Sequence, residues 1–295
     1  VNIMEVQQSP LYADFIRRLK WHVMPLDGVN IFFKHFPFLG GMAKMHRPEK
    51  LPDIKKLSAI LKEYNIRSVS VEPDSSVEQK KFTVWIKKLA KNITINKTNF
   101  LPTKTIHIDL TGSEDEIFKR FSEAKRRAVR RTIKHHVLIR ESSDIHVLIN
   151  IKNKSAGLFG FITTTGVDKL WHIFAPKHAA ILLAYKSKNS STLSSRPPSR
   201  DPSSHHFLNW IPGSFAKQRT RNDNKIVGGI LLLFYDSVAY YWIAGATKEG
   251  KRMFAPTLLV WEALKLAKKR GSRLFDFVGV WDERIPRENK AWLGF

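Results

Sequence analysis

Two arginines at i, i+4 spacing, Arg126 and Arg130, stand in a basic stretch running from Lys119 to Lys134. On a helix that spacing puts both guanidinium groups on one face, where they can grip a pyrophosphate through bidentate, charge-assisted bonds. Ser113 followed by Glu116 forms a capping box, which predicts one helix from there to about Lys134. At about 100° per residue, Ile117, Phe121, Ala124 and Ala128 fall together on an apolar side. Lys119, Arg120, Arg126, Arg127, Arg130, Arg131 and Lys134 take the opposite arc, and Lys125 alone lies on the apolar side, where its ammonium turns inward or snorkels. The plain alternative is a solvated basic face. Asp276 lies in the apolar run Leu274–Gly279 and is a candidate to orient or bind an attacking amine; its alternative role is a strand-end carboxylate satisfied by backbone N–H groups. Tyr240, Tyr241 and Trp242 alternate across a strand, so a ring such as Tyr241 can line a peptide or adenine pocket or pack in the core.

Generic catalytic signatures are missing. With 0 cysteines there is no disulfide framework, thiolate metal site or cysteine nucleophile. No GxxxxGK[ST], HExxH or GxSxG pattern occurs. The 11 histidines include the adjacent pairs His135-His136 and His205-His206, whose ring directions diverge on a helix, so no metal site is expected. A general base is not identifiable, and the catalytic residues are left unknown.

The 295 residues carry 50 Lys plus Arg against 26 Asp plus Glu, a net charge of +24. Clustered charge of that size points to a polyanionic partner: nucleic acid, a phosphorylated substrate or anionic headgroups. The longest apolar runs resemble Ile226–Phe234, far short of the roughly 20 residues of a membrane span. The opening Val1–Glu5 has no basic region leading into an apolar one, so no signal peptide is expected, and a cytoplasmic setting fits.

The positioning elements read as mixed α/β. Helices are expected after Ser9-Pro10, from Ile54 to Tyr64 behind the Asp53 cap, over Phe82–Leu89, Asp144–Asn153 and Asp168–Phe174, and from Pro256 to the Lys268-Lys269-Arg270-Gly271 stop. Strands are expected at Asn30–Phe33, Ile66–Val71, Thr105–Leu110, Ala179–Tyr185, Ile226–Phe234, Val238–Ala244 and Leu274–Gly279. Residues 187–204 hold 8 Ser and 3 Pro; they read as a disordered insertion extending over 187–222, a swollen hairpin loop between two strands.

The strand order of the second half suggests an acyltransferase of the GNAT type, although Gly245–Arg252 does not fit the pyrophosphate loop of a coenzyme A user. The whole chain resembles the FemABX peptidyltransferases of peptidoglycan-bridge formation and methicillin resistance. The resemblance rests on Gln8-Ser9-Pro10-Leu11-Tyr12-Ala13-Asp14-Phe15 with Leu19-Lys20-Trp21, on Val71-Glu72-Pro73, and on Leu101-Pro102-Thr103-Lys104-Thr105 through Asp109-Leu110 and Ser113-Glu114. It continues through Lys125–Arg130, Ile226–Gly229, Pro256 with Trp261-Glu262-Ala263, and Phe275–Val280.

The resemblance implies two tandem GNAT-like domains, over 1–139 and 140–295, each a mostly antiparallel twisted sheet flanked by helices. It implies transfer of an amino acid from aminoacyl-tRNA, as co-substrate with no further cofactor, to the stem peptide of a UDP-linked or lipid-linked muramyl pentapeptide. Such an enzyme is expected in the cytoplasm, in peripheral contact with the inner membrane face. Arg126 is favoured as its phosphate contact. Ile16 stands where relatives often carry Lys, and His136 where they carry Gly. The Phe-Lys tail of relatives, expected after Trp292-Leu293-Gly294-Phe295, is missing from this chain. Rival readings are acyl-CoA-dependent N-acylation of a small amine, a non-enzymatic nucleic-acid binder, and a truncated, inactive relative.

Overall fold

The structure is a computed structural model that describes residues 4–94, 102, 104–157, 160–187, 225–280 and 282–283. Among them the chain forms two sheets, of four and six strands, with helices against both. The 187–222 insertion (beyond Ser187), the His205-His206 pair and the Trp292–Phe295 end lie outside the described residues.

In the smaller sheet β1 (His22–Leu26), β2 (Val29–Phe36) and β3 (Gly40–His46) are antiparallel neighbours. Helix α2 (Ile54–Glu63) then carries the chain to β4 (Ile66–Glu72), parallel to β3. Asp53 starts α2 as expected, its carboxylate accepting the Lys56 N–H at 3.0 Å. Period-two alternation divides the faces of this sheet. Val29, Ile31, Phe33, Ala43 and Met45 enter a core closed by α2 and α3 (Gln79–Leu89), whereas Phe32 points the other way, into a core of the larger sheet.

The larger sheet has the order β5 (His107–Asp109), β10 (Leu274–Asp276), β9 (Val238–Ala246), β8 (Lys225–Tyr235), β7 (Ala179–Lys186), β6 (Val137–Ser142). Its pairs are antiparallel except β9–β10. Strands β7 and β8 are apolar at nearly every position because helices cover both faces. On one face lie α4 (Glu114–Lys119), α5 (Glu123–Lys134) and α10 (Ala255–Lys269), around Phe275, Leu258 and Ala263. On the other lie α1 (Pro10–Arg18), α6 (Ile145–Ala156) and α8 (Val167–Phe174), around Leu148, Leu170 and Leu231. The helices come close at Gly229, where a Cβ would stand 2.7 Å from Leu183 Cδ2 and 2.9 Å from Leu148 Cδ1. Each sheet contains one strand–helix–parallel strand unit, β3–α2–β4 and β9–α10–β10, so the two halves echo each other.

Two expectations change. The single helix over Ser113–Lys134 is two: α4 ends at Arg120, and Ser122 starts α5 by accepting the Lys125 N–H at 3.4 Å. A second capping serine opens a new helix axis where the apolar periodicity alone ran on. The division at 139/140 falls inside β6, and β5, α4 and α5, which precede it, pack with the larger sheet. Edge strand β5 is recruited from the first half by pairing with β10, a long-range contact invisible to local pattern.

Candidate active site

Strands β9 and β10 pair only over Val238–Tyr240 and Leu274–Asp276, after which they part. Past Asp276 the chain follows the 104–106 segment instead, Phe277 N–H donating to Ile106 O and Val280 N–H to Lys104 O. Strand β9 continues to Ala246, and no described strand pairs with Trp242–Ala246 on the β10 side. The parting falls at the carboxyl end of β10 and beside Tyr240, near the start of β9.

Asp276 sits where the two strands part, 7% exposed. Its Oδ1 accepts the Thr105 hydroxyl and, at 2.6 Å, the Val278 N–H; its Oδ2 lies 3.4 Å from His107 Nε2. Thr105 lies two residues before His107, the first residue of β5, and the extended run turns both toward Asp276 while Ile108 packs in the core. Burial pushes the Asp276 carboxyl up, but the bonds from His107, Thr105 and Val278 outweigh it and hold it below the ordinary range. The same hydrogen bond raises the His107 pKa against burial. Val278 is held at φ 62, a left-handed conformation costly for a β-branched residue, of the kind that gathers at functional sites.

The N-terminal segment brings a second carboxylate. Gln8 staples it to the smaller sheet, accepting the Asn30 N–H at 2.8 Å, receiving Asn30 Nδ2 on its carbonyl at 2.9 Å and donating to His46 O. Glu5 then lies where burial raises its pKa to about 7, Arg47 and His107 opposing and Asp276 and Asp74 reinforcing the shift. Arg47, at φ 46, leaves β3 with its N–H on Glu72 O at 2.7 Å and its Nη2 on Pro102 O at 2.8 Å, tying the smaller sheet to the strand segment beside Asp276. Tyr240, opposite Asp276 in register, faces the Val6 N–H, and burial pushes its hydroxyl up.

The face of the smaller sheet that carries Phe32 also carries polar groups. Lys44 and His46 on β3 stand beside Ser70 and Glu72 on β4. Both ring nitrogens of His46 are buried without a hydrogen-bond partner, as is Gln7 Oε1. Burial, with Lys44 and Arg47 adding to it, depresses the His46 pKa to about 4. Arg47, whose charge acts on both His46 and Glu5, links these unpaired atoms to the carboxylate cluster. No group of His, Asp and Glu able to hold a metal ion occurs among the described residues.

The residues singled out from sequence divide. Asp276 is at the centre of the cluster. Arg126 Nη1 donates to Lys119 O at 2.7 Å and Phe121 O at 2.9 Å, closing the end of α4. The Arg130 guanidinium lies 5.8 Å over the Phe118 ring, and Lys125 is exposed near the start of α5. These contacts of Arg126 and Arg130 are with Lys119, Phe121 and Phe118, not with the Asp276 cluster. The Tyr241 ring packs on Phe277 at 5.5 Å and Phe275 at 6.4 Å, and burial drives its hydroxyl pKa upward. Sequence reading missed Glu5, Arg47, His46 and His107. For His107 a signal existed in the Thr105/His107 alternation; for Glu5 and Arg47 there was none.

The stretch following β9 tests coenzyme A chemistry. Thr247 Oγ1 accepts the Gly250 N–H at 3.0 Å, closing the first turn of α9 (Lys248–Arg252) internally. Glu249 lies there between Lys186 and Lys225, at 2.7 and 2.8 Å, its pKa lowered to about 2 by those hydrogen bonds. Glu249 thus places a carboxylate, paired with two lysines, on the turn that follows β9.

Residues 206–284 match the family profile "Acetyltransferase (GNAT) domain". Among solved structures, the crystal structure of FemX superposes with a TM-score of 0.66 at 13% identity, covering 96% of this chain and 85% of FemX. A C-terminal DUF2156 domain assigned to a lysylphosphatidylglycerol synthetase of Agrobacterium fabrum gives 0.49 at 11% identity over 98% and 81%. The L-PGS structure from Bacillus licheniformis gives 0.45 at 9% identity over 95% and 82%. No curated protein sequence matches the chain. The chain therefore has the FemX fold, with an acyltransferase-type domain in its second half. No helix of the described residues is long and apolar enough to cross a membrane.

Proposed function

We propose that this protein is an aminoacyltransferase that moves an amino acid from aminoacyl-tRNA to a free amine on the stem peptide of a peptidoglycan precursor, on two GNAT-like halves. The observation that carries this reading is the Asp276–His107 pair at the point where β10 leaves β9. An amine nucleophile arrives as an ammonium. Asp276 and Glu5 attract that cation, and a base must remove its proton before attack. Glu5, with its pKa at about 7, is suited to take it. The amine nitrogen then bonds to the ester carbonyl carbon, the carbon–oxygen bond to the tRNA terminus breaks, and the leaving hydroxyl takes a proton from protonated His107, which recovers one from the attacking nitrogen as the amide forms. The remaining task is alignment of two large substrates.

Charge supports the donor. Arg127, Arg130, Arg131 and Lys134 of α5 continue into Lys248, Lys251 and Arg252 of α9, because the helices meet at the Thr132 Oγ1–Met253 O bond and at Arg131 over Phe254. This basic surface adjoins the carboxyl end of β9 and suits a nucleic acid backbone. The internally closed turn at Thr247 speaks against acyl-CoA as donor.

The test mixes the purified chain with charged tRNAs and UDP-linked or lipid-linked muramyl pentapeptide, and reads precursor mass. A gain of one aminoacyl residue supports the reading. No gain with either acceptor, together with acylation of amines by acetyl-CoA, would replace it with the second reading, to which the acetyltransferase profile over 206–284 lends weight.

A further inference from the structure

We infer that the β2–β3 hairpin tip docks the protein on an anionic lipid bilayer, inserting Phe38 and Leu39 at the headgroup–acyl boundary. Phe38 is 103% exposed and Leu39 is 68% exposed. The ring is not loose on a floppy loop. Phe38 is held at φ 67 in a tight turn closed by the Leu39 N–H on Pro37 O at 2.8 Å, which aims both side chains away from the fold. Below the tip, Trp21 and Phe36 meet edge to face at 6.0 Å. Lys44 lies 5.4 Å over Trp21, and Lys34 lies 5.7 Å over Phe36. Arg67 runs along Gly40, its Cδ within 2.5 Å of where a Cβ would stand. From Gly28 to Pro48 there is no acidic residue.

An apolar tip on an aromatic collar, ringed by cations and free of acids in its own hairpin, matches the layers of an anionic membrane surface: acyl chains, interface, phosphates. The tip is convex, so it enters a soft phase without needing a matching groove. Leu39 has no ring to stack on a base, which disfavours a nucleic acid at this spot. The inference is independent of the transfer reaction, since it concerns binding alone.

The test is co-sedimentation of the chain with vesicles of phosphatidylcholine, with and without phosphatidylglycerol. Binding is expected only with phosphatidylglycerol. The double variant Phe38→Ser, Leu39→Ser, with an unchanged melting curve, should weaken partitioning by about a hundredfold or more, as expected for losing two large apolar insertions. Lys34→Gln with Arg67→Gln should weaken it too and flatten its salt dependence. Absence of wild-type binding overturns the inference. So does equal binding by the Ser variant, which would mean bulk charge alone holds the membrane. Loss of self-association in the Ser variant with vesicle binding intact would assign the tip to a second copy instead.

Discussion

Asp276 and His107 stand directly opposite each other across the antiparallel β10–β5 pair, carboxylate and imidazole 3.4 Å apart, at the point where β10 leaves β9. Each shifts the other toward its charged form. Asp276→Asn keeps the shape and removes the charge. The His107 pKa should then fall back toward its ordinary value in an NMR titration, and transfer should slow by about a hundredfold or more, the usual worth of a positioned acid–base group. An unchanged His107 titration would show that the pair is not coupled.

Glu5 provides a pH signature. Its folded pKa, about 7, exceeds the ordinary 4.5, so the folded state binds the proton more tightly than the unfolded one. Stability should therefore decline as pH rises from 4.5 to 7 and level off above. Glu5→Gln should erase that slope, matching the wild type near pH 4 and exceeding it near pH 8 by about 1–3 kcal/mol. Denaturant melts at the two pH values decide it. The same variant should lose the alkaline rise in transfer rate if Glu5 takes the proton.

The Lys186–Glu249–Lys225 triad makes the opposite prediction. Glu249 is held at about 2, so its contribution is full above 4.5 and fades as pH falls toward 2. Glu249→Gln should lower Tm at pH 7 by a few degrees, the scale of about 1 kcal/mol for a half-exposed pair in this size of chain. The gap between variant and wild type should narrow on acidification.

Arg126 and Arg130 should separate by phenotype. Arg126 bonds two carbonyls at the end of α4, so Arg126→Ala should cost about 1 kcal/mol of stability in a thermal melt. Arg130 points from the exposed face of α5 over Phe118, so Arg130→Ala should leave Tm nearly unchanged and reduce tRNA binding, with a shallower salt dependence. A Tm loss at Arg130 equal to that at Arg126 would remove it from the docking surface.

Some of the site was legible before any coordinates. Asp276 stood out because a carboxylate in an apolar strand needs partners; helical spacing likewise put Arg130 on an outward face, but away from the Asp276 cluster. The basic helix was misread as one continuous rod: apolar periodicity persists across Arg120–Ser122, and only the local bond from Lys125 N–H to Ser122 marks the break. Tyr241 was ambiguous from alternation, which says that neighbouring rings oppose but not which face is covered. The helices packed on that face decided it.

The amino-acid sequence by itself determined what depends on near neighbours: caps at Asp53 and Ser113, the two-sided apolar runs of β7 and β8, the basic face of α5, and from these a mixed α/β chain of acyltransferase type. The tertiary structure alone decided the meeting of Glu5, Arg47, His107 and Asp276. These come from an N-terminal turn, the end of β3, an edge strand and the last described strand. Which strand pairs with which, and where a pair splits, depends on long-range packing. The pKa shifts follow from the burial and charge neighbours that this packing creates, so no window along the chain could have announced them.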